Sequence, residues 1–282
     1  MIKELKEKKP TFYSCREHKL ELGQKTYIMG ILNVTPDSFS DGGKYNNIEG
    51  AVRKAVEMVQ AGADIIDVGG ESTRPGYEQV EDGEEINRVV PVVERLVREL
   101  SVPVSVDTSK AIVAEKALQV GAHIINDVWG LQKDVGLAAV VAKYNAGVIM
   151  MHNQNDKVYS EVMRDIITFL RKSIKLAEKA GIPRESMAVD PGIGFGKTLE
   201  QNLEVMNRLK ELQSLNLPVL LGTSRKSLIG NVLNLPADER LEGTAATVTL
   251  GIAAGVDFIR VHDVKEMFRV AKMTDAVVRV YS

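Results

Sequence analysis

The stretches ADIIDV (residues 63–68) and VPVSV (residues 102–106) decide the fold class of this chain. Both are short and rich in β-branched apolar residues, and each is followed by a loop and then by a longer segment of helical periodicity. Strands that are apolar on both faces are typical of parallel sheets covered by helices. The two stretches therefore predict an α/β fold built on a parallel sheet.

The same strand–loop–helix unit recurs from residue 28 onward. The expected strands are 28–32, 64–68, 103–106, 122–125, 146–150, 188–189, 218–221 and 257–259, with helices over about 48–61 and 84–99 and a further helix from about 109. Roughly eight such units in about 250 residues predict a (β/α)8 TIM barrel. A doubly wound open sheet is the alternative, but the G-x-G-x-x-G turn that it usually carries is missing after the first strand.

The barrel accounts for residues 28–282 as one domain, because no Gly/Ser-rich linker or change of composition divides them. Residues 1–27 precede the first expected strand. We expect them to form a short extra segment, such as a hairpin covering the barrel floor.

Composition and charge narrow the class of protein. The 282 residues carry 36 Lys and Arg against 38 Asp and Glu, and the resulting net charge of −2 argues against a nucleic-acid partner. The single cysteine, Cys15, cannot form an intramolecular disulfide, and we interpret it as an incidental thiol in a reducing compartment. The N-terminus lacks the apolar core of a secretory signal, and no stretch is long enough to span a bilayer. We therefore expect a cytoplasmic protein without a membrane partner.

Polar residues cluster at the ends of the expected strands, where a TIM barrel places its chemistry. In chain order they include Asn33, Asp67, Asp107, Asn126, Asp127, His152, Asn153, Asp190, Lys226, Arg260, His262 and Asp263. Helix capping explains such residues singly. A barrel mouth ringed by them is costly unless they bind something polar, so we expect a binding site there.

One part of this ring consists of carboxylates and an amide. Asp107, Asn126 and Asp190 suit a flat heterocycle that bears N–H donors, because their oxygens accept hydrogen bonds. The glycines of DPGIGFGKT (residues 190–198) would let the backbone approach a ligand beside Asp190. This segment lacks the G-x-x-x-x-G-K-[ST] spacing of a phosphate-binding loop, so we do not expect nucleotide binding from it.

The other part of the ring is cationic. Arg74, Lys226, Arg260 and His262 suit an anion, most simply a phosphate or diphosphate. Asn33 offers a neutral oxygen to Mg²⁺, which uses substrate phosphates and waters as its other ligands. Phe39 lies in the turn-rich loop TPDSFSDGG (residues 35–43) and is either a satellite core residue or part of a lid over the ligand.

Long motifs in this chain resemble a known family. They are MGILNVTPDSFSDGG (29–43), GADIIDVGGESTRPG (62–76), VPVSVDTSK (102–110), GAHIINDVWG (121–130), DPGIGFGKT (190–198), LGTSRKSLIG (221–230) and RVHDV (260–264). In this order they look like the dihydropteroate synthases of the pterin-binding family, from about residue 28 to the C-terminus. The first 27 residues carry no diagnostic motif.

The resemblance implies an activity. Such enzymes join 6-hydroxymethyl-7,8-dihydropterin diphosphate to 4-aminobenzoate, giving 7,8-dihydropteroate and diphosphate in folate biosynthesis with Mg²⁺ as cofactor. In these enzymes the diphosphate is thought to leave first and the amine of 4-aminobenzoate then attacks. The resemblance also implies a homodimer, and competition by sulfonamides for the 4-aminobenzoate site.

The resemblance also implies residue roles. The pterin ring would be bound by Asp107, Asn126, Asp190, Lys226 and Arg260, with Met151 and Phe195 near its faces. The diphosphate would be bound by Asn33, Thr73, Arg74, Arg260 and His262, and the metal by Asn33. The 4-aminobenzoate would be bound by Phe39, Pro75, Lys226 and Ser227. Lys226, Arg260, His262 and Asp107 would be the catalytic residues, while His152, Asn153 and Trp129 have no assigned role.

Two other functions are compatible with a pterin-binding barrel. A corrinoid-dependent methyltransferase would share the Asp/Asn site but lack the diphosphate-binding set, which the motifs STRPG, SRKS and RVH indicate here. A non-catalytic pterin-binding subunit would require the loss of Asn33, Arg74, Lys226 or Arg260, and all four are present.

Overall fold

The computed structural model describes residues 8–34, 43–71 and 80–279 of the chain. Ten strands lie in this part, and eight of them form one parallel sheet in the order β8-β7-β6-β5-β4-β3-β10-β9. The strands are β1 Phe12–Cys15, β2 His18–Glu21, β3 Tyr27–Asn33, β4 Ile65–Gly69, β5 Val104–Asp107, β6 Ile124–Asp127, β7 Gly147–Met151, β8 Met187–Asp190, β9 Leu220–Leu221 and β10 Phe258–Val261.

Helices follow the strands of this sheet. They are α1 Gly43–Gln60, α2 Asp82–Glu99, α3 Ala111–Gln119, α4 Leu137–Lys143, α5 Val162–Ala180, α6 Leu199–Asn207, α7 Ser227–Leu233, α8 Leu241–Ala253 and α9 Val264–Val278. In the described part of the chain, no helix combines the length and the hydropathy needed to cross a bilayer.

The sheet closes on itself between β8 and β9. A parallel bridge joins Val189 to Val219, and the Val189 N–H donates to the Pro218 carbonyl at 2.9 Å. The eight parallel strands therefore form a nearly closed barrel, which confirms the predicted TIM-barrel class and excludes the open-sheet alternative.

Helix α5 illustrates how local sequence sets these elements. Glu161 caps its first turn by accepting from the N–H groups of Met163 and Arg164 at 3.3 and 2.6 Å. Gly181 ends it in the left-handed conformation, with φ at 90°, where glycine carries no Cβ penalty. Its buried residues recur every three or four positions, so one face packs on the barrel.

The strands end later than the apolar runs suggest. The second, third, fourth and eighth expected strands stop at 68, 106, 125 and 259, whereas β4, β5, β6 and β10 end at Gly69, Asp107, Asp127 and Val261. The polar residues therefore lie within the last strand positions rather than in the loops behind them. The strand ladder continues through these positions, because Gly69 pairs with Asp107, Asp107 with Asn126, and Asp127 with Met150.

Two expected helix starts were late. Helix α1 begins at Gly43 rather than at about 48, and α2 begins at Asp82 rather than at about 84. Apolar periodicity marks only the buried face and misses a polar first turn. In α2 that turn contains Asp82, Glu84 and Glu85, whose charges favour a helix N-terminus.

Inside the barrel, an apolar layer occupies the amino ends of the strands. It contains Tyr27, Met29, Ile65, Ile124, Ile149, Ala188, Leu220 and Phe258, and Tyr13 and Cys15 of β1 join it. The strands β1 and β2 pair as an antiparallel hairpin. We call this layer, together with Tyr13 and Cys15, the floor. Because side chains alternate along a strand, the inward residues two positions later form the next layer, at the carboxyl ends.

Candidate active site

The layer above the floor is polar and forms the mouth of the barrel. Strand register aligns Asn33 with Gly69, Gly69 with Asp107, and Asp107 with Asn126 across β3, β4, β5 and β6. Gly69 has no side chain, and a Cβ placed there would lie 3.6 Å from Asn33 Oδ1 and 3.9 Å from Asp107 Cβ. Register thus brings three of the predicted residues into one row.

Arg260 of β10 reaches across the mouth and joins two carboxylates. Its Nε donates to Asp67 Oδ2 at 2.6 Å, and its Nη2 donates to Asp107 Oδ2 at 2.8 Å. Asn126 Nδ2 donates to the same Asp67 oxygen at 3.1 Å. Asp67, which is fully buried, therefore orients two predicted ligand-binding residues.

Asp67 was noticed at its strand end but was not placed among the site residues. The signal that would have included it is strand alternation, because Asp67 stands two positions after Ile65 of the floor, just as Asn126 stands two after Ile124.

The electrostatics of the mouth are dominated by burial. Burial raises the pKa of Asp107 to about 7 despite the opposing effect of Arg260. Asp107 Oδ1 and Asp67 Oδ1 are buried and have no hydrogen-bond partner among the described residues. Such oxygens are costly unless a donor reaches them, so the mouth is built to accept hydrogen bonds from a ligand.

Asp190 and Lys226 form the opposite side of the mouth. Asp190 Oδ1 accepts from the Gly192 N–H at 2.7 Å, and burial raises its pKa. Burial also lowers the pKa of Lys226 to about 8, although the charge of Asp190 opposes that shift. Gly222 leaves room between them, since a Cβ there would lie 3.6 Å from Lys226 Nζ and 3.9 Å from Asp190 Oδ2.

The loop after β8 places an aromatic ring beside Lys226. The Lys226 ammonium donates to the Ile193 carbonyl and lies 4.7 Å from the centre of the Phe195 ring. Met151, which ends β7, pairs in register with Asp190 and is buried. Met151 therefore lies beside Asp190, and the Phe195 ring lies beside the Lys226 ammonium.

His262 directly follows β10, and Ser227 is the first residue of α7. His262 Nδ1 is 3.0 Å from Ser224 Oγ, which also accepts from the His262 N–H at 3.1 Å. The Arg225 guanidinium forms a two-point contact with Asp263. Ser227 is exposed at the first position of α7. These contacts fix the loop that carries Lys226.

A cleft of about 650 Å³ opens at this end of the barrel. Its walls include Asp107, Phe195 and Ser227 together with Trp129 and Asn153, which had no assigned role. The cleft is large enough for an extended two-part ligand. Asp127 is engaged by the protein itself, since it accepts hydrogen bonds from Ser109 Oγ and from the N–H groups of Trp129 and Leu131.

Four predicted site residues lie outside the described part of the chain. They are Phe39, Thr73, Arg74 and Pro75. The described residues that flank 72–79 converge on Lys110, whose ammonium contacts the Glu71 carboxylate at 3.2 Å and the Val80 carbonyl. Lys110 also contacts the buried Glu85 at 2.7 Å.

At the opposite end of the barrel, Glu17, His18 and His123 form the one group of possible metal ligands found among the described residues. His123 Nδ1 accepts from the Val104 N–H at 3.0 Å, so the proton of the neutral ring is on Nε2, which lies 3.1 Å from Glu17 Oε1. A metal at Nε2 would have to displace that proton, so this group fits a hydrogen-bonded histidine better than a metal site. Cys15, which lies at the same end of the barrel, is an unreactive thiol because burial raises its pKa to about 12.

Comparison with known proteins agrees with this geometry. Residues 29–262 match the family described as pterin binding enzyme. The chain is 56% identical to the dihydropteroate synthase of Clostridium beijerinckii over 262 residues, which cover 93% of this chain and 97% of that protein. It is 54% identical to the Bacillus subtilis dihydropteroate synthase over 258 residues, covering 92% of this chain and 90% of that protein.

Solved structures share the whole architecture. A Clostridium difficile dihydropteroate synthase determined in the presence of pteroic acid has a TM-score of 0.90 at 55% identity, covering 92% of this chain and 98% of that one. A Xanthomonas albilineans dihydropteroate synthase with 4-aminobenzoic acid also reaches 0.90, at 39% identity, covering 95% and 98%. A Yersinia pestis dihydropteroate synthase in complex with a sulfonamide drug reaches 0.88 at 43% identity, covering 94% and 98%.

The barrel, its polar mouth and the family match over residues 29–262 together define a pterin-binding enzyme. The similarity extends over nearly the full length of the curated relatives, at more than half identity. The chain belongs to the dihydropteroate synthase family, whose members act in folate biosynthesis. The family and the activity predicted from the sequence are confirmed.

Proposed function

We propose that the mouth described above binds the substrates of this reaction, with the pterin on Asp107, Asn126 and Asp190. The observation that carries the assignment is the buried, unpartnered Oδ1 of Asp107 at the wall of the cleft. The N–H groups of an aminopyrimidine edge are the donors that this oxygen requires. A relative solved with pteroic acid supports the class of ligand.

The pterin faces would lie between Met151 and Phe195. Strand register places Met151 beside Asp190, and the Phe195 ring, in the loop after β8, lies beside the Lys226 ammonium. Arg260 and Lys226 would contact the ring edge, and their charges would be neutralised by the carboxylates that already surround them. This arrangement holds a polar ring without leaving an unpaired charge.

The diphosphate would lie at the outer side of the mouth, bound by Arg260 and His262 with Thr73 and Arg74 of the loop after β4. Asn33 is exposed at the end of β3, and its amide oxygen is a ligand type that Mg²⁺ accepts. One neutral protein oxygen fits an ion whose other ligands are diphosphate oxygens and waters. Bound Mg²⁺ would neutralise charge on the diphosphate.

The 4-aminobenzoate would bind beside Lys226 and Ser227 at the start of α7, with Phe39 and Pro75 completing the pocket. A relative solved with 4-aminobenzoic acid supports this second substrate. Since a sulfonamide complex of another relative is known, we expect sulfonamides to compete with 4-aminobenzoate here.

The chemistry would need no nucleophile from the protein. The C–O bond between the pterin methylene carbon and the diphosphate would break first, and its electron pair would leave with the diphosphate. The amine nitrogen of 4-aminobenzoate would then bond to that carbon and lose a proton to solvent. Arg260 and His262 would stabilise the departing anion, while Asp107 and Asp190 would stabilise positive charge on the pterin.

The test follows product formation from the pterin diphosphate, 4-aminobenzoate and Mg²⁺, measured as diphosphate and dihydropteroate. Lys226→Met should lower kcat/KM by about 10²–10³, the usual cost of one preorganised contact. Lys179→Met removes an exposed lysine of α5 and serves as the matched control. Equal activity in the two variants would contradict the role proposed for Lys226.

The remaining assignments concern assembly and location. We propose one barrel domain over 28–282 with 1–27 as an N-terminal segment, in a cytoplasmic homodimer. Exposed apolar side chains on the late helices support a dimer: Leu250 of α8 is 60% exposed, and Phe268 and Met273 of α9 are 38% and 65% exposed. Sedimentation of the purified chain tests this, and a monomer at micromolar concentration would contradict it.

A further inference from the structure

Lys197 is a buried lysine that has no role in the function proposed above. It follows Gly196 in the loop between β8 and α6, lies at the wall of the cleft, and is 5% exposed. Lysine is rarely buried unless its ammonium group is fully hydrogen-bonded. Its contacts therefore indicate what it does.

The ammonium of Lys197 donates to three acceptors. They are His152 Nδ1 at 3.0 Å, the Gly192 carbonyl at 2.9 Å and the Phe195 carbonyl at 3.1 Å. A lysine ammonium has three N–H donors, so each of them has a partner. Two of these partners belong to the loop itself, and the third anchors that loop to the segment after β7.

Both loop contacts lead to groups at the pterin site. Gly192 donates its N–H to Asp190 Oδ1 at 2.7 Å, and its carbonyl, which belongs to the next peptide unit, accepts from Lys197 at 2.9 Å. The Phe195 carbonyl is held by Lys197 while the Phe195 ring faces the Lys226 ammonium. Lys197 therefore restrains the residue whose N–H contacts Asp190 and the residue that carries the aromatic face.

The loop between β8 and α6 packs so closely on the segment after β7 that two of its positions have no room for a side chain. Gly192 has φ of 71°, and a Cβ placed there would lie 1.9 Å from the His152 carbonyl oxygen. Gly196 has φ of 53°, and its Cβ would lie 2.5 Å from the Gln154 carbonyl oxygen. The loop backbone is therefore packed directly on the backbone of residues 152–154, and the Lys197 side chain adds a hydrogen-bonded link between the loop and His152.

The same contacts argue against a proton-transfer role. Burial lowers the pKa of His152 to about 3, so its ring is neutral and its Nδ1 accepts. Burial also lowers the pKa of Lys197 to about 7, although Asp190 opposes this shift. Because its three N–H groups all have acceptors within the protein, the Lys197 ammonium has no donor left for a substrate.

We propose that Lys197 is a positioning residue for the pterin ring: by holding the carbonyls of Gly192 and Phe195 against His152, it sets the orientation of Asp190 and Phe195. This inference rests on the pterin site proposed above. It predicts an effect on pterin binding that leaves the diphosphate side of the mouth unchanged.

The experiment compares Lys197→Met and Lys197→Gln with the unaltered protein. Methionine keeps the volume but removes all three donors, whereas the glutamine amide retains two. The dissociation constants of 6-hydroxymethylpterin and of inorganic diphosphate with Mg²⁺ are measured by calorimetry, together with the melting temperature. Thr198→Ala is the matched control, because it removes the capping box that Thr198 forms with Gln201 at the start of α6.

We expect Lys197→Met to weaken pterin binding about tenfold to a hundredfold, as displacement of site groups by about 1 Å does. Lys197→Gln should lie between it and the unaltered protein, and diphosphate binding should change less than about twofold in both. Thr198→Ala should lower stability by about 1 kcal/mol and leave pterin binding unchanged.

Unchanged pterin affinity in Lys197→Met would overturn the inference, and so would equal weakening of pterin and diphosphate binding. If Lys197→Met does not fold, Lys197→Gln decides by the same two affinities. Failure of the unaltered protein to bind 6-hydroxymethylpterin would instead overturn the proposed pterin site itself, so the two failures are distinguishable.

Discussion

The floor and the mouth of the barrel are built from the same strands, two residues apart, yet they are opposite in chemistry. The floor buries Tyr13, Phe258 and their neighbours with few polar atoms. The mouth buries Asp67, Asp107 and Asp190, whose charges are held by Arg260 and Lys226. Burial stabilises the fold at the floor and costs free energy at the mouth, where a ligand recovers part of that cost. We therefore expect substitutions in the floor to act mainly on stability and substitutions in the mouth to act mainly on activity.

The largest effect is expected at the floor. Tyr13→Ala removes a fully buried ring that packs edge-on against Phe258 at 5.4 Å between ring centres. Truncation of a buried aromatic residue should lower the free energy of unfolding by about 3–5 kcal/mol. Urea unfolding measures it, and kcat/KM should stay unchanged below the melting temperature. A loss of kcat/KM in the folded variant would break the separation of the two layers.

Removal of a large side chain from the mouth, in contrast, should lower kcat/KM. Arg260→Met removes the group that joins Asp67 to Asp107, and kcat/KM should fall by about 10²–10³. Arg260→Lys should be intermediate, because one ammonium does not reproduce the guanidinium fork. Circular dichroism checks that both variants fold. Normal kcat/KM in Arg260→Met would refute its role.

The mouth should also make stability depend on pH. Because burial raises the pKa of Asp107 to about 7, against about 4 in an unfolded chain, folding favours its protonated form. Its stabilising contribution is therefore complete below about pH 4 and is lost as the pH rises through 7.

Asp107→Asn removes this titration, so the ligand-free variant should lose less stability than the unaltered protein between pH 5 and 8. The difference in slope should be at most about 1.4 kcal/mol per pH unit. Urea unfolding at several pH values measures it. Identical slopes would show that Asp107 is not the group whose pKa is raised.

The smallest effect sharpens the description of the floor. Tyr13 Oη is buried without a hydrogen-bond partner among the described residues, and a Cβ on Gly147 would lie 2.4 Å from it. Tyr13→Phe removes this hydroxyl while keeping the ring, and should leave stability unchanged or raise it by up to about 1 kcal/mol. A clear loss of stability would mean that the hydroxyl has a partner, and that the floor is less apolar than its residues indicate.

Much of the mouth could be predicted from the sequence because its residues stand at the ends of recognisable strands. Asp107, Asn126 and Asp190 each follow an apolar run, and each lies in a long motif. Asp67 was not assigned to the site because its partners, Asn126 and Arg260, are 59 and 193 positions away. Lys197 was also missed as a site residue, since its acceptors include His152, which is 45 positions away in another loop.

Local patterns of residue type and spacing were enough to predict the recurring strand–helix unit, the family and most of the polar residues of the mouth. Which of those side chains contact one another depends on how the strands are arranged around the barrel. Closing the barrel brings β4, β5 and β10 to one opening, where Arg260 lies between Asp67 and Asp107. Burial then sets the pKa of Asp107 and Lys226, because desolvation depends on what surrounds a charge and not on its neighbours along the chain.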